Sequence, residues 1–197
     1  MLEVLPVPRP TGATMTSDSF TGDLTTEPAA LRAARGLEHD ERLDGLVEDL
    51  APVARAVVGS GVRAAVLRGE PLGHKLHPML TDLPLGLWMS ASALDLLGGS
   101  TARPAARRLI GLGLLATGPT IAAGLADWEG SGDRARRVGV VHAALNGVAA
   151  GLYGMSWLAR RRGRHQLGVL AALGGAGASA ASGYLGGHMS FGMRSGG

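Results

Sequence analysis

Four apolar stretches, each about as long as a membrane-spanning helix, fill the second half of the chain. They run roughly over residues 80–98, 109–126, 138–158 and 167–185. A helix rises about 1.5 Å per residue, so about 20 residues cross a hydrocarbon core about 30 Å thick. The segments between the stretches are polar, and each of them contains arginine. This pattern predicts an integral membrane protein with four transmembrane helices.

The connections between these stretches are short. They cover residues 99–108, 127–137 and 159–166. Short links between membrane helices place consecutive helices antiparallel. The sequence therefore predicts an all-α membrane protein, with an antiparallel up-down four-helix transmembrane bundle over residues 77–193 and a short tail at 194–197.

The region before the bundle has two parts. Residues 1–36 contain many Pro, Thr, Ser and Gly residues without a sustained apolar period, so we expect a disordered tail. Residues 37–76 are predicted to form an amphipathic helix and a juxtamembrane linker, because apolar residues recur at three- and four-residue steps from 43 to 57. We expect this helix to pack on the bundle or on a partner. A helix lying flat on an anionic membrane would have a basic polar face, whereas this one is acidic.

Composition excludes several classes of function. Residues 1–76 carry eleven acidic and eight basic side chains, and residues 77–197 carry five acidic and eleven basic ones. The basic excess thus belongs to arginines flanking membrane helices, and only 4% of residues are aromatic, so no nucleic-acid surface is expected. There is no cysteine for disulfide, thiolate or cluster chemistry. Catalytic motifs of soluble enzymes are missing, and an enzyme is not expected.

Polar residues concentrate at one end of the predicted bundle. Because neighbouring helices are antiparallel, the start of the first helix, the end of the second, the start of the third and the end of the fourth share one membrane face. The side chains brought there are His74, His77, Thr81, Asp82, Asp127, His142, Asn146 and His188. Four of the six histidines thus meet at one end, and ionisable groups inside membrane spans usually have a function.

Helical periodicity places further polar residues on common faces. Since successive residues of a helix are about 100° apart, the polar residues of the first and third helices each form one stripe along the helix. We expect both stripes to face the interior of the bundle. Their members are His77, Thr81, Trp88, Ser92 and Asp95 on the first helix, and His142, Asn146, Tyr153 and Ser156 on the third. Asp95 is expected to reach an interfacial arginine among Arg103, Arg107 and Arg108. The fourth helix carries small residues every four positions, at Gly175, Ser179, Gly183 and Gly187, which favour close helix packing.

Four motifs carry a family resemblance. They are residues 73–86 (GHKLHPMLTDLPLG), 124–128 (GLADW), 142–146 (HAALN) and 184–191 (YLGGHMSF). Together, over roughly residues 38–193, the chain resembles a family of small four-helix bacterial membrane proteins catalogued as a domain of unknown function. Members are often encoded beside, or fused ahead of, Rieske-type iron–sulfur domains. The resemblance implies a membrane context and an iron–sulfur partner, which here would be a separate protein, but no activity.

Three functions remain open at this stage. The first is a non-enzymatic membrane anchor or partner for a soluble iron–sulfur protein. The second is an electron-transfer subunit that handles quinone or binds haem b, for which two histidines on facing helices are the usual ligands. His77 with His142 is the expected pair, and His188 is the alternate ligand. The third is a metal or proton pathway, with His77, Asp82, Asp127 and His142 as candidate ligands of a divalent metal.

The cofactor-binding candidates are His77, His142 and His188. We expect these three to approach one another, with Asp82, Asp127, Asn146 and Thr81 behind them as hydrogen-bond partners. Surrounding lipid is the other expected contact, and a homo-oligomer is left open.

Membrane orientation is nearly balanced by charge. Seven basic residues flank each membrane face: Arg103, Arg107, Arg108, Arg160, Arg161, Arg162 and Arg164 on one side, and Arg63, Arg68, Lys75, Arg134, Arg136, Arg137 and Arg194 on the other. We expect a multi-pass protein of the cell membrane with cytoplasmic termini, because a long polar tail without a signal peptide is difficult to translocate.

Overall fold

The computed structural model describes residues 27–193, whose regular secondary structure consists only of helices joined by short turns. Seven α-helices follow one another: α1 (Ala29–His39), α2 (Asp44–Val58), α3 (Gly61–Leu67), α4 (Leu76–Leu97), α5 (Arg103–Glu129), α6 (Asp133–Arg161) and α7 (His165–Gly187). Three 3₁₀ turns lie at Glu41–Leu43, Glu70–Leu72 and Ser100–Ala102, and a π turn at His188–Gly192. The all-α prediction is confirmed for the described residues.

The four long helices, α4 to α7, coincide with the four predicted apolar stretches but extend further into the flanking polar sequence. The connections shrink to residues 98–102, 130–132 and 162–164. Arginine is a good helix former, so helical hydrogen bonding continues where the mean hydropathy has already fallen.

The predicted number of membrane spans is wrong. Among the described residues, two helices are long and apolar enough to cross a membrane: Ser100–Glu129 and Asp133–Arg161. A third span counts only if Glu41–Val58 and Gly61–Leu67, which meet at 110°, form one broken span. Polar residues explain the shortfall in α4, which contains two aspartates and a histidine. α7 consists largely of glycine, alanine and serine, whose hydropathy is low.

Packing joins the long helices in antiparallel pairs. α4 packs mainly on α5, α6 packs mainly on α7, and a smaller α5–α6 contact connects the pairs. Between α4 and α6, the two predicted polar stripes face each other inside the protein, as expected. The His77 and His142 rings meet at one end, and Trp88 stacks on Tyr153 in the middle with ring centroids 3.9 Å apart.

Asp95 has a different partner from the one predicted. It receives two hydrogen bonds from Arg160 of α6, from Nη1 at 2.7 Å and from Nη2 at 2.5 Å. The side chains of Asp95 and Arg160 are only 5% and 2% exposed. Arg160 also donates to Ser156 at 3.1 Å, which donates to the Gly168 carbonyl at 2.6 Å. The ion pair is therefore a buried link between helices and not an interfacial contact with Arg103, Arg107 or Arg108.

Glycines on one helix accommodate large side chains of the next. A Cβ atom on Gly113 of α5 would lie 2.3 Å from Nε1 of Trp88, which donates to the Ile110 carbonyl at 3.4 Å. The same relation recurs between Gly111 and Trp157, Gly124 and His77, Gly139 and Trp128, Gly168 and Arg160, Gly175 and Tyr153, and Gly186 and His142. These close approaches leave little or no room for a side chain, which explains why glycine occupies these seven positions.

The predicted small-residue ridge on α7 is used only in part. Gly175 contacts Tyr153, whereas a Cβ atom on Gly183 or Gly187 would meet nothing within 4 Å. The four-residue spacing was the wrong signal, because the close contacts at Gly168, Gly175 and Gly186 follow the positions of bulky residues on α6.

The N-terminal helices cover one end of the long helices. Residues 29–36, predicted as disordered, belong to α1, whose sequence is rich in alanine, leucine and arginine; residues 1–26 and 194–197 lie outside the described part. The predicted amphipathic helix is divided at Asp40, whose side chain accepts a hydrogen bond from the Arg42 amide at 3.1 Å. α1 packs on α6, and α2 packs on α5 and α6.

An ion pair fastens α2 to α6. Arg137 donates to both carboxylate oxygens of Asp44, at 2.6 and 2.8 Å. The hydrogen bond from Arg137 lowers the pKa of the Asp44 carboxyl below its usual value of 3.8. Beyond α2 the chain turns sharply into α3 at Gly59, whose φ of +67° favours glycine.

The outer surfaces of all four long helices are apolar. Large hydrophobic side chains are exposed at Met79, Leu83, Met89, Leu96, Leu97, Leu112, Leu115, Ile121, Val148, Met155, Leu158, Leu167, Leu170 and Leu173. So many large hydrophobic side chains exposed on four helices are unusual for a soluble monomer and are typical of a protein surrounded by lipid.

We predict that Gly113→Ala destabilises the protein. The added methyl group would overlap Trp88, and overpacking of this kind costs about 1–3 kcal/mol. Gly118→Ala is the matched control on the same helix, because its Cβ atom would meet nothing within 4 Å. Thermal unfolding in detergent should show a lower midpoint for Gly113→Ala and an unchanged or higher one for Gly118→Ala. Equal midpoints for the two variants would contradict the glycine packing.

Candidate functional site at the histidine end

His77 lies in the first turn of α4 and bonds to α5. Its Nδ1 donates to the Thr120 carbonyl at 3.0 Å, and Thr81 donates to the His77 carbonyl at 2.8 Å. A carbonyl oxygen only accepts, so this bond fixes the proton on Nδ1 and leaves a lone pair on Nε2. Gly124 provides the space for the ring, because a Cβ atom there would lie 2.9 Å from Cε1 of His77.

His142 has the same tautomer and a fuller set of partners. Its Nδ1 donates to the Ser182 carbonyl of α7 at 2.8 Å, and the Ser182 hydroxyl donates back to the His142 carbonyl at 3.1 Å. Asn146, one turn further along α6, donates from Nδ2 to Nε2 at 3.0 Å. The contact expected between Asn146 and His142 is thus present, and both ring nitrogens of His142 are bonded.

The two rings meet edge to face. Their centroids are 6.3 Å apart and their planes lie at 88°. Each histidine is anchored to the main chain of the neighbouring helix, so the pair connects all four long helices: α4 to α5 through His77, and α6 to α7 through His142.

His188 is bonded elsewhere. Its Nε2 donates to Oε1 of Glu38 in α1 at 2.7 Å, and the two side chains are 6% and 12% exposed. The structure therefore brings together two of the three predicted histidines, while the third attaches the end of the described chain to α1. Sequence analysis missed Glu38. The available signal was a carboxylate on the face of α1 that also carries Ala34 and Leu37, since a charged group on a packed face needs a partner.

The acidic candidates do not surround the histidine pair. Asp127 lies 3.8 Å from Nζ of Lys75. Asp82 is exposed and has no bonded partner among the described residues. It follows His77 by five positions, which places it about 140° away around α4. The expectation that both carboxylates stand behind the histidines is thus wrong for Asp82. Asp127 interacts electrostatically with His77 as well as with Lys75, but it forms no hydrogen bond to either histidine of the pair among the described contacts.

Neither a metal nor a haem finds a ready ligand set here. In the described part of the chain, no group of three or more His, Asp or Glu side chains is placed to hold a metal ion. The metal set of His77, Asp82, Asp127 and His142 is thus not assembled in these residues. A haem would take Nε2 of both histidines, yet that of His142 already accepts from Asn146. Cofactor binding at His77, His142 and His188 stays a prediction.

Comparison with known proteins agrees with the membrane context. The family model described as "Predicted membrane protein (DUF2231)" matches residues 73–196, which include α4 to α7 and the histidine pair. The match leaves out residues 38–72 of the predicted resemblance, and it shows no association with Rieske-type domains. No curated protein matches the chain, and no solved structure does. Because the match covers more than half of the chain, the protein belongs to this family of predicted membrane proteins.

Proposed function

We propose that this protein is a non-enzymatic membrane anchor whose interior histidines hold its helices together and whose N-terminal helices receive a partner protein. One observation carries the proposal: His77, His142 and His188 are each hydrogen-bonded to a different helix or segment. Histidines used in this way stabilise the fold and need no bound cofactor.

In this proposal α5 and α6 cross the membrane, and α4 and α7 lie in the hydrocarbon beside them. The exposed leucines and methionines of α4 and α7 support this placement, since they have the same apolar exterior as α5 and α6. Asp82 of α4 is exposed, but His77, Asp95 and Ser182 are directed inward, where they have partners. A lipid environment requires such internal pairing of polar groups.

The surface for the partner is the acidic face of α2 and the turn before it. Glu41, Glu48 and Asp49 are exposed and have no bonded partner among the described residues. Leu46 and Val53 lie exposed beside them, at 55% and 52%. An apolar centre with a charged rim is typical of a protein contact surface. The family resemblance makes a soluble iron–sulfur protein the proposed occupant.

A second candidate function rests on Nε2 of His77, which has no bonded partner among the described residues. Its lone pair is available to a quinol hydroxyl, to haem iron or to a proton. The handling of quinone or haem b, or a metal or proton pathway, is therefore the alternative proposal.

We predict that His77→Ala destabilises the protein, because it removes the α4–α5 hydrogen bond and leaves a space beside Gly124. The lost bond alone is worth about 1 kcal/mol. His74→Ala is the matched control, since His74 is exposed and bonds only to the nearby Leu72 carbonyl at 3.0 Å. Thermal unfolding in detergent should lower the midpoint for His77→Ala alone.

The same preparations separate the two candidate functions. An anchor gives a protein with neither a Soret band nor stoichiometric metal. A Soret band that disappears in His142→Ala would overturn the anchor proposal in favour of haem binding. Bound metal lost in His77→Ala would instead favour the metal pathway.

Membrane placement is tested by single cysteines in a chain that has none. Ser60→Cys and Thr101→Cys lie before and after α4, and both positions are exposed. With cytoplasmic termini, a membrane-impermeant thiol reagent added to intact cells should label Thr101→Cys and spare Ser60→Cys. The reverse result would place the termini outside. Equal labelling of both would show that α4 does not cross the membrane.

Partner binding is tested by a photo-crosslinking residue at position 46 in cells. The expected adduct contains an iron–sulfur protein, identified by mass spectrometry. The control is the same residue at position 115, where Leu115 is 75% exposed on α5 and faces lipid in the proposed placement. Lack of a protein adduct at 46, or the same adduct at both positions, would contradict the docking surface.

A further inference from the structure

The end of the protein opposite the histidines contains an open cavity of about 430 Å³. It lies between the start of α5 and the turn that joins α6 to α7. The lining residues are Arg103, Gly163, Arg164, His165, Gln166 and Leu167. Two arginines, one histidine and one amide thus supply donors, and no carboxylate lines the cavity.

The cavity arginines have no anionic partner among the described residues. Arg103 and Arg164 are exposed, and neither forms an ion pair or a hydrogen bond through its side chain with the described residues. Asp95 is the nearby carboxylate, with Oδ1 at 3.8 Å from Nε2 of His165. Its charge is already balanced by the two hydrogen bonds from Arg160. Positive charge in the cavity is therefore uncompensated.

Other arginines at this end of the protein also lack an acidic partner among the described residues. Four more arginines lie there, Arg107, Arg108, Arg161 and Arg162, and the only one of them with a described contact is Arg161, which stacks over Trp157 at 4.7 Å. At the histidine end, by contrast, acidic side chains pair with Arg68, Lys75 and Arg137. Among the described long helices and their turns, arginines without an ion pair are thus more numerous at the cavity end than at the histidine end, where Arg134 is one.

The cavity also lies where the apolar exterior begins. Leu167 forms part of its lining and is 53% exposed, and Leu170, one turn further along α7, is 66% exposed. A ligand held by the arginines would therefore have an apolar surface directly below it. That combination fits a charged head with hydrocarbon chains better than it fits a free ion.

We propose that this cavity binds a phosphate group, carried by the headgroup of an anionic phospholipid. Arg103 and Arg164 bind the phosphate oxygens through charge-assisted hydrogen bonds. Gln166 donates to the neighbouring ester or hydroxyl oxygens, and the acyl chains lie along Leu167 and Leu170. The lipid source rests on the proposed placement of α7 in the membrane, whereas the phosphate site itself rests on the cavity alone.

The test compares the unaltered protein with three variants. Arg103→Gln/Arg164→Gln removes the cavity charges. Arg134→Gln, at the other end, is the matched control because Arg134 is also exposed and without a described partner. Each protein is extracted from vesicles of equal parts phosphatidylglycerol and phosphatidylcholine, and the retained lipid is measured by native mass spectrometry. Arg103→Lys/Arg164→Lys keeps the charge and checks that folding is intact.

The unaltered protein and Arg134→Gln should retain phosphatidylglycerol in preference to phosphatidylcholine. The double glutamine variant should lose this preference by about five-fold per arginine, and the lysine variant should recover part of it. No preference in the unaltered protein, or equal loss in Arg134→Gln and the double glutamine variant, would overturn the lipid proposal.

A second arm distinguishes the source of the phosphate. Inorganic phosphate is added to protein in detergent without phospholipid, and the thermal midpoint is measured. A rise in the unaltered protein that is absent in the double glutamine variant supports the phosphate site even if α7 lies outside the membrane. If phosphate gives this rise but phosphatidylglycerol is not retained, the lipid source is overturned and a soluble phosphate compound takes its place. Neither arm depends on a protein partner, so failure here and failure of the anchor proposal are distinguishable.

Discussion

The close seating of bulky side chains against glycines on neighbouring helices is the constraint on which the rest of this structure depends. In lipid, helices gain little from the hydrophobic effect on meeting one another, so close packing and internal hydrogen bonds determine their association. At three glycines, the ring of a residue on the neighbouring helix fills the space that a side chain would occupy. The pairs are Trp88 with Gly113, Tyr153 with Gly175, and His77 with Gly124. These contacts bring ring nitrogens within reach of main-chain carbonyls, as at Ile110 and Thr120. The same side chains therefore provide both the close packing of the helices and the hydrogen bonds between them.

The same arrangement explains how a buried ion pair is tolerated. Arg160 fits against Gly168, and this approach lets it bond to Asp95 and Ser156 together. Burying two charges is costly unless their geometry is good and their remaining donors are satisfied. Here the guanidinium uses Nε, Nη1 and Nη2. The register of α4 against α6 is thus fixed at three levels: by the His77–His142 contact, by the Trp88–Tyr153 stack and by the Asp95–Arg160 ion pair.

Much of this interior was predictable from periodicity, and the exceptions have physical reasons. The stripes on α4 and α6 were identified because membrane helices direct polar groups inward. Asp95 was assigned to Arg103, Arg107 or Arg108 because they are close to it in sequence. Its actual partner, Arg160, is distant in sequence and is brought close by the packing of α6 against α4. Glu38 was missed because its partner lies 150 positions away, so the local signal of a carboxylate on a packed face did not indicate what it bonds. The number of spans was overestimated, since glycine and alanine resemble apolar residues in a pattern but contribute little hydropathy. The sequence also located the histidines at one end and favoured His77 with His142 as the pair, whereas His188 was expected beside them and is bonded to Glu38 instead.

The two ends of the protein differ in how many of their basic side chains are engaged in ion pairs, although the sequence predicts the same number of basic residues at each end. At the histidine end, Arg137 and Arg68 are engaged with Asp44 and Glu129, so their charges hold α2 and the α3 region to the long helices. At the other end, Arg103 and Arg164 have no such task in the described structure. A cation that is already paired offers little to a new anion, because binding would first have to break the internal pair. A count of arginines therefore cannot distinguish the ends, whereas their pairing does. Arg137 and Arg68 hold the N-terminal helices, and Arg160 is occupied by Asp95, whereas Arg103 and Arg164 remain unpaired among the described residues beside the exposed leucines of α7.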